Sequence, residues 1–225
     1  MMNPDRVHQS WNSIVPAAFA VHHILTKKKI AHTFTSGCQL LFLGHRSTPD
    51  VDVLIHEGMR DMDYDCAFRA FRKDGSFSVP EIPDYNGHSW TVTYAPTNIL
   101  IRFQMTAHLP NTIWHVDVTF EGRTVGLPCQ SLKHLMARKI LCLSWRRMYY
   151  DIHDLSWLYQ TYGRDLDWQK LRTFLASRDC DYGAILDNYP VETVEHTFYK
   201  FLLVKLGRIN PSSDIEDYDA PLPEA

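Results

Sequence analysis

The feature that most constrains the fold is a pair of aspartates, Asp50 and Asp52, set directly before an aliphatic run. Residues i and i+2 of a β-strand point to the same face of the sheet, so both carboxylates would project together while Val51 and Val53 point the other way. Two like charges at this spacing repel, and a charge held on a sheet needs compensation. Magnesium suits such a pair, because it takes carboxylate oxygens and bridges them to substrate phosphates.

Composition excludes several classes of protein. The chain has 225 residues, 45% of them hydrophobic, which is enough for a sizeable core. The net charge is -3, and the five acids after Pro211 contribute -5 of it, so the residues before them carry about +2. General nucleic-acid binding is therefore not predicted, because the body of the chain is not strongly basic. A local basic cleft could still exist. Five scattered cysteines without a C-x-x-C pair indicate reduced thiols rather than a zinc cage.

Hydropathy also bears on location. No apolar run approaches the length of a membrane span, and the N-terminus has no apolar signal core. We therefore expect a soluble, cytoplasmic protein with no membrane partner.

The pattern of elements predicts an α+β fold. Strands are predicted at Ile30–Thr35, Asp50–His56, Phe77–Val79, Trp90–Tyr94, Ile99–Thr106 and Thr112–Phe120. Helices are predicted at Ile14–Thr26, Gly37–Leu43, Asp65–Lys73, Ser131–Ser144, Met148–Tyr159, Trp168–Ser177 and Val191–Leu206. This division predicts a first domain over 1–130, a helical lobe over 131–208 and a disordered acidic tail over 209–225.

The stretch TSGCQLLFLGHRSTPDVDVLI, residues 35–55, has a small-residue turn, a short helix and then the aspartate pair. This order resembles the signature of the DNA-polymerase-β-type nucleotidyltransferases. The segment resembles the AbiEii-type toxin nucleotidyltransferases in particular, because it has a glycine, a second glycine seven positions on and then the pattern R-x-T-x-D-x-D. The matching residues are Gly37, Gly44, Arg46, Thr48, Asp50 and Asp52. The resemblance implies a mixed sheet with flanking helices plus a C-terminal helical lobe.

The same resemblance implies roles for individual residues. Asp50 and Asp52 would hold Mg²⁺ or Mn²⁺. Nucleotide phosphates would be bound at the glycine turn, where backbone N–H groups at the start of a helix attract anions. The residues implied for nucleotide binding are Ser36, Gly37, Arg46 and Thr48. Ser36 departs from the pattern, which has glycine there.

Enzymes of this kind need a third acid on a neighbouring strand, and the segment IWHVDVTFEG offers two. Alternation places Asp117 in the middle of the strand between two valines, so it is the preferred third metal ligand and the group that would help deprotonate the acceptor. Glu121, near the end of the strand, is the second choice. The alternative is a half-exposed strand with a polar outer face.

The helical lobe carries a second match to the AbiEii-type pattern. A lysine on one helix, Lys139, precedes Asp151 and Asp154 at the corresponding spacing, with Tyr150 where the pattern has arginine. The resemblance implies that Lys139 binds nucleotide phosphates and that Asp151 orients it or the acceptor. The alternative is a pair of helices joined by ordinary ion pairs.

Two functions from different classes fit these features. The first is a metal-dependent nucleotidyltransferase that moves a nucleoside monophosphate from an NTP, such as ATP, to a hydroxyl on RNA, a protein or a small molecule, with release of pyrophosphate. The second is a protein of the same fold that has lost or replaced this activity, such as a binding or regulatory module. The departures at Ser36 and Tyr150, and the nearby His45 and His115, motivate the second.

Overall fold

The structure is a computed structural model that describes residues 4–56, 61–80, 89–106, 113–146, 149–176 and 193–210. The chain divides into two compact units, residues 2–131 and residues 132–225. Most of the predicted acidic tail, residues 211–225, lies outside the described part of the chain.

The first unit is built around a seven-stranded mixed sheet in the order β3-β4-β5-β2-β1-β7-β6. Among the strand pairs that the structure describes, β1–β7 and β2–β5 are parallel and the others are antiparallel. The strands are β1 (His32–Thr35), β2 (Asp50–His56), β3 (Phe77–Ser78), β4 (Ser89–Tyr94), β5 (Ile99–Thr106), β6 (Ile113–Phe120) and β7 (Arg123–Gln130). The helices are α1 (Pro4–Lys27), α2 (Ser36–Phe42) and α3 (Asp61–Lys73). The predicted α+β fold with a mixed sheet is confirmed.

Sequence analysis did not predict β7, whose segment RTVGLPCQ contains a glycine and a proline that are unfavourable in strands. The strand forms because it closes a hairpin with β6. Phe120 pairs with Arg123, which leaves Glu121 and Gly122 as a two-residue turn with φ angles of 49° and 76°. Two successive positive φ angles are typical of the type I′ hairpin turn.

The core of this unit lies on one face of the sheet. Helix α1 packs on that face, against β2, β5, β6 and β7, and presents a row of buried apolar residues at helical spacing. These residues are Ile14, Val15, Ala17, Ala18, Val21, Ile24 and Leu25. Alternation sends Val51 and Val53 of β2 into the same core, both fully buried. The aspartates of β2 therefore project from the opposite face of the sheet.

The second unit is helical. Its described helices are α4 (Leu132–Arg146), α5 (Tyr149–Tyr162), α6 (Trp168–Ala176) and α7 (Val194–Lys205). Helix α4 contacts α5 and α6, and α5 contacts α7. Thr193 caps α7 by accepting a hydrogen bond from the backbone N–H of His196. None of the helices that the structure describes is long and apolar enough to cross a membrane.

Candidate functional site

The aspartate pair lies at the start of β2. The Asp50 side chain is 13% exposed, and its Oδ2 lies 3.0 Å from Nη2 of Arg102 on β5. Thr48 Oγ1 lies 3.3 Å from the other carboxylate oxygen, Oδ1, and donates a hydrogen bond to it. Asp52, two residues on, is half-buried on the same face. The two carboxylates therefore form one negatively charged site with a guanidinium already at its edge.

The small-residue turn packs directly on this site. Ser36 is the first residue of α2 and has a φ angle of 58°, in the left-handed region that favours glycine. This explains why the family pattern has glycine at this position. Its neighbour Gly37 is required for a different reason, because a Cβ atom there would lie 2.5 Å from Thr48 Oγ1 and 3.1 Å from Thr48 Cβ. The turn, Thr48 and Asp50 are thus held in mutual contact.

The second glycine of the motif ends α2. Gly44 has a φ angle of 82°, and its N–H donates to the carbonyl of Leu41 while that of His45 donates to Leu40. These two bonds are the Schellman arrangement, which uses a left-handed residue just after the helix. The chain is thereby turned back toward β2. Arg46, which follows, donates from Nη1 to the carbonyl of Ser47 at 2.9 Å.

Buried polar contacts fix the turn between β1 and α2. Thr35, the last residue of β1, pairs with Asp52 across the sheet and donates a hydrogen bond to the Gln130 side chain. Gln39 donates to the Gln130 carbonyl at 2.7 Å. Cys38 donates from Sγ to the carbonyls of Thr35 and Asp52 at 3.0 and 3.4 Å. Burial, reinforced by the charge of Asp52, raises the pKa of the Cys38 thiol far above its usual range, so this cysteine stays protonated.

Arg102 is a site residue that sequence analysis missed. It stands opposite Asp52 on β5, the strand parallel to β2, and its side chain is 51% exposed. The positions of β5 that share its face are Leu100, Gln104 and Thr106, so none of the four is acidic. A signal was present, because Arg102 is the one charged residue of the strand ILIRFQMT and lies near its middle.

The structure does not bring Asp117 to the aspartate pair. Its strand β6 is the outer strand, and both β1 and β7 lie between it and β2. Three strand spacings amount to roughly 14 Å, which is too far to share a metal ion. Asp117 is exposed and pairs with Gly126, while Glu121 lies in the hairpin turn. The sequence-based choice of these acids is corrected because alternation reveals the face of a strand but not its neighbours.

Within the described part of the chain, no group of three or more His, Cys, Asp or Glu side chains could hold a metal ion. Two adjacent carboxylates still suit Mg²⁺ or Mn²⁺, since Mg²⁺ commonly uses one or two protein carboxylates and completes its shell with substrate phosphates and water. The donor set at Asp50 and Asp52 fits a cation that arrives with a nucleotide.

Lys139, in the helical unit, forms a buried charge cluster. Its Nζ lies 3.0 Å from Asp151 Oδ1 and 2.6 Å from Asp154 Oδ2. The Lys139 side chain is 2% exposed and both carboxylates are fully buried. The cluster ties α4 to α5 and brings Lys139 and Asp151 into contact, whereas binding of nucleotide phosphates by Lys139 stays a prediction. Tyr150, between these residues in sequence, is exposed.

The sequence itself identifies the family. Residues 39–210 match the family model described as the nucleotidyl transferase AbiEii toxin of a type IV TA system. The chain belongs to the AbiEii nucleotidyltransferase family. It is accordingly a nucleotidyltransferase, as the motif predicted. The match includes the aspartate pair and the Lys139 cluster and begins just after the Ser36–Gly37 turn.

One solved structure shares the fold, and a second is similar over part of the chain. An antigenic nucleotidyltransferase-like protein from Paracoccidioides brasiliensis is 16% identical, with a TM-score of 0.50, and the similarity covers 96% of this chain and 98% of that one. ANT(2'')-Ia in complex with adenylyl-2''-tobramycin is 12% identical, with a TM-score of 0.47, over 76% of this chain and 95% of that one. No curated protein matches the sequence.

Proposed function

We propose that this AbiEii-family enzyme transfers a nucleoside monophosphate from a Mg²⁺- or Mn²⁺-bound NTP, such as ATP, to a hydroxyl acceptor, with release of pyrophosphate. The observation that carries the proposal is the contact between the small-residue turn, Thr48 and Asp50, with Asp52 on the same face. A phosphate cradle and two metal-binding carboxylates are the parts that such a transfer requires. A cytoplasmic location is part of the proposal, in keeping with the free thiols of the described cysteines.

Each residue at the turn has a role in the proposal. Asp50 and Asp52 hold the divalent cation, which supplies positive charge to the phosphates when it is bound. The backbone N–H groups of Ser36 and Gly37 and the guanidinium of Arg46 bind phosphate oxygens. Thr48 orients the Asp50 carboxylate through its hydrogen bond to Oδ1.

Arg102 is assigned to phosphate binding. A guanidinium keeps its proton at any physiological pH and therefore cannot act as the base that activates an acceptor. In the structure it offsets the charge of Asp50, and its half-exposed position leaves N–H groups able to reach a triphosphate at the same face. Asp117 has no role in this proposal, because it lies three strands away.

Arg102→Lys and Arg102→Gln test this assignment. We expect both variants to raise the KM for NTP, the glutamine variant by about tenfold or more, because a charge-assisted contact to phosphate is lost. The measurement is NTP-dependent transfer rates with a folding check by circular dichroism. An unchanged KM in the glutamine variant would refute a role for Arg102 in phosphate binding.

The transfer itself is tested with each α-labelled NTP, magnesium and fractionated cell extract, so that RNA, protein and small-molecule acceptors are all sampled. We expect one fraction to acquire label with the wild-type enzyme and to lose it with Asp52→Asn. Asp165→Asn, the same change at an exposed residue of the helical unit, is the matched control and should label normally. Equal labelling by Asp52→Asn, with its fold intact, contradicts the proposal.

A second candidate function is a nucleotide-binding module without transfer, and the Arg102–Asp50 ion pair favours it by occupying a metal-binding oxygen. Thermal denaturation with magnesium and each NTP separates the two candidates. Stabilisation by a nucleotide without label transfer to any fraction supports the module, whereas stabilisation together with transfer supports the enzyme.

A further inference from the structure

Two adjoining cavities of about 310 and 420 Å³ lie at the C-terminal end of α1. Both include His23 and Lys27 in their walls. The first also includes His22 and Arg123, and the second Lys28 and Lys73. We call these six residues the α1 basic surface.

The charges of this surface come from three separate elements. Lys27 ends α1 and Lys28 follows it directly, Lys73 ends α3 and Arg123 begins β7. A lysine in the last turn of a helix complements the helix dipole, which explains why Lys27 and Lys73 each stand at the end of their own helix. It does not account for the grouping of Lys27 with Arg123 around the first cavity and with Lys73 around the second, because like charges brought together repel. An anionic ligand would turn that repulsion into attraction.

His22 lies among other basic groups at this surface. Burial lowers the pKa of His22, and the neighbouring His115, His23 and Arg123 lower it further. His22 also contacts His32, with 3.0 Å between Nδ1 and Nε2. Asp74 is an acid in the wall of the second cavity, so among the described residues that line the two cavities four permanent cations face one carboxylate.

This surface is distinct from the aspartate site. Helix α1 packs on the core face of the sheet, opposite the face that bears Asp50 and Asp52. It also lies at the other end of the central strands, because β1 begins at His32, opposite Ile55, and reaches Asp52 only at its last residue.

We propose that the α1 basic surface is a second anion site that binds a compact small molecule carrying two or more phosphate groups. The cavities have the size of small-molecule pockets and not of an extended groove. Their cations are spaced over two recesses, so separate phosphate groups can each be bound. Phe19 in the first cavity offers an apolar wall for the remainder of the ligand.

Inorganic tripolyphosphate is the probe. Calorimetric titration is carried out in EDTA, so that binding dependent on a divalent cation at the aspartate pair is suppressed. We compare Lys27→Gln/Lys73→Gln with Lys133→Gln/Lys170→Gln, a control that removes the same charge from the helical unit. We expect saturable binding that the first pair weakens about tenfold or more and the control leaves unchanged, because each charge-assisted contact is worth roughly a factor of ten.

Proton NMR of the histidine rings gives an independent readout, with the signals of His22 and His23 shifting on titration. Equal weakening by both double variants, or no saturable binding at all, would overturn the proposal. A single-stranded RNA oligonucleotide is titrated in parallel. If it binds at this surface while tripolyphosphate does not, the site is one for a nucleic-acid strand and the proposal is wrong.

Discussion

Lys139→Met is the sharpest test of how the helical unit uses its charges. The ammonium of Lys139 is enclosed by Asp151 and Asp154, and all three side chains are buried. Methionine has nearly the same length and no charge, so it preserves packing while removing the cation from between two carboxylates.

The expected loss of stability is large. Removing one partner of a buried ion pair costs about 3–5 kcal/mol, since the remaining charge is left buried without compensation. A typical protein is stable by only about 5–15 kcal/mol. For a chain of this length 1 kcal/mol changes the melting temperature by roughly 2–4 °C, so we expect a decrease of roughly 6–20 °C.

The assay is urea unfolding followed by circular dichroism and tryptophan fluorescence. Lys170→Met is the control, because Lys170 is an exposed lysine whose side chain is 73% accessible and whose surface ion pair contributes little. The triple variant Lys139→Met/Asp151→Asn/Asp154→Asn should recover part of the loss, because it also removes the two buried negative charges that faced the lysine. If Lys139→Met keeps wild-type stability but loses nucleotide binding, the lysine acts on phosphates as the family resemblance implied, and the structural explanation is refuted.

Two further predictions concern the sheet unit. Ser36→Gly should stabilise the protein by about 1 kcal/mol, because glycine adopts the left-handed backbone conformation at this position without strain. Urea unfolding measures the gain in the free energy of unfolding. A loss of stability would show that the serine side chain contributes more than the backbone strain costs. His32 is held neutral by burial, which lowers its pKa from 6.5 to about 4, so below pH 6.5 the unfolded chain takes up a proton that the folded chain does not. We expect the neutral His32 ring to contribute about 3 kcal/mol to the free energy of unfolding above pH 6.5, and this contribution to be lost as the pH falls toward 4. The variant His32→Phe should flatten the stability profile in this range, and a profile as steep as that of the wild type would contradict this assignment.

Local patterns of the sequence predicted the parts of the fold that depend on neighbours in the chain. The boundaries of β2 and β5 were predicted correctly, because aliphatic alternation and flanking turns define them. The second glycine of the motif marked the end of α2, where a left-handed residue is needed. Sequence analysis did not predict the hairpin turn at Glu121–Gly122, because the glycine and proline of β7 concealed the strand that follows it.

The choice of a third acid failed for a physical reason. Asp117 does share the open face of the sheet that alternation predicts, yet which strand lies beside β2 depends on pairing between segments about fifty residues apart. A side-chain pattern with a period of two contains no information about that pairing. The structure therefore places Arg102, not an acid, next to Asp50.

The sequence by itself determined the family, the aspartate pair and the small-residue turn, because each depends on residues within one short segment. Only the tertiary structure decided that a Cβ atom at Gly37 would clash with Thr48, that Lys139 is enclosed by two carboxylates, and that cations from α1, α3 and β7 line two adjoining cavities. These are contacts between elements, and their energies depend on distance and burial, which no local pattern specifies.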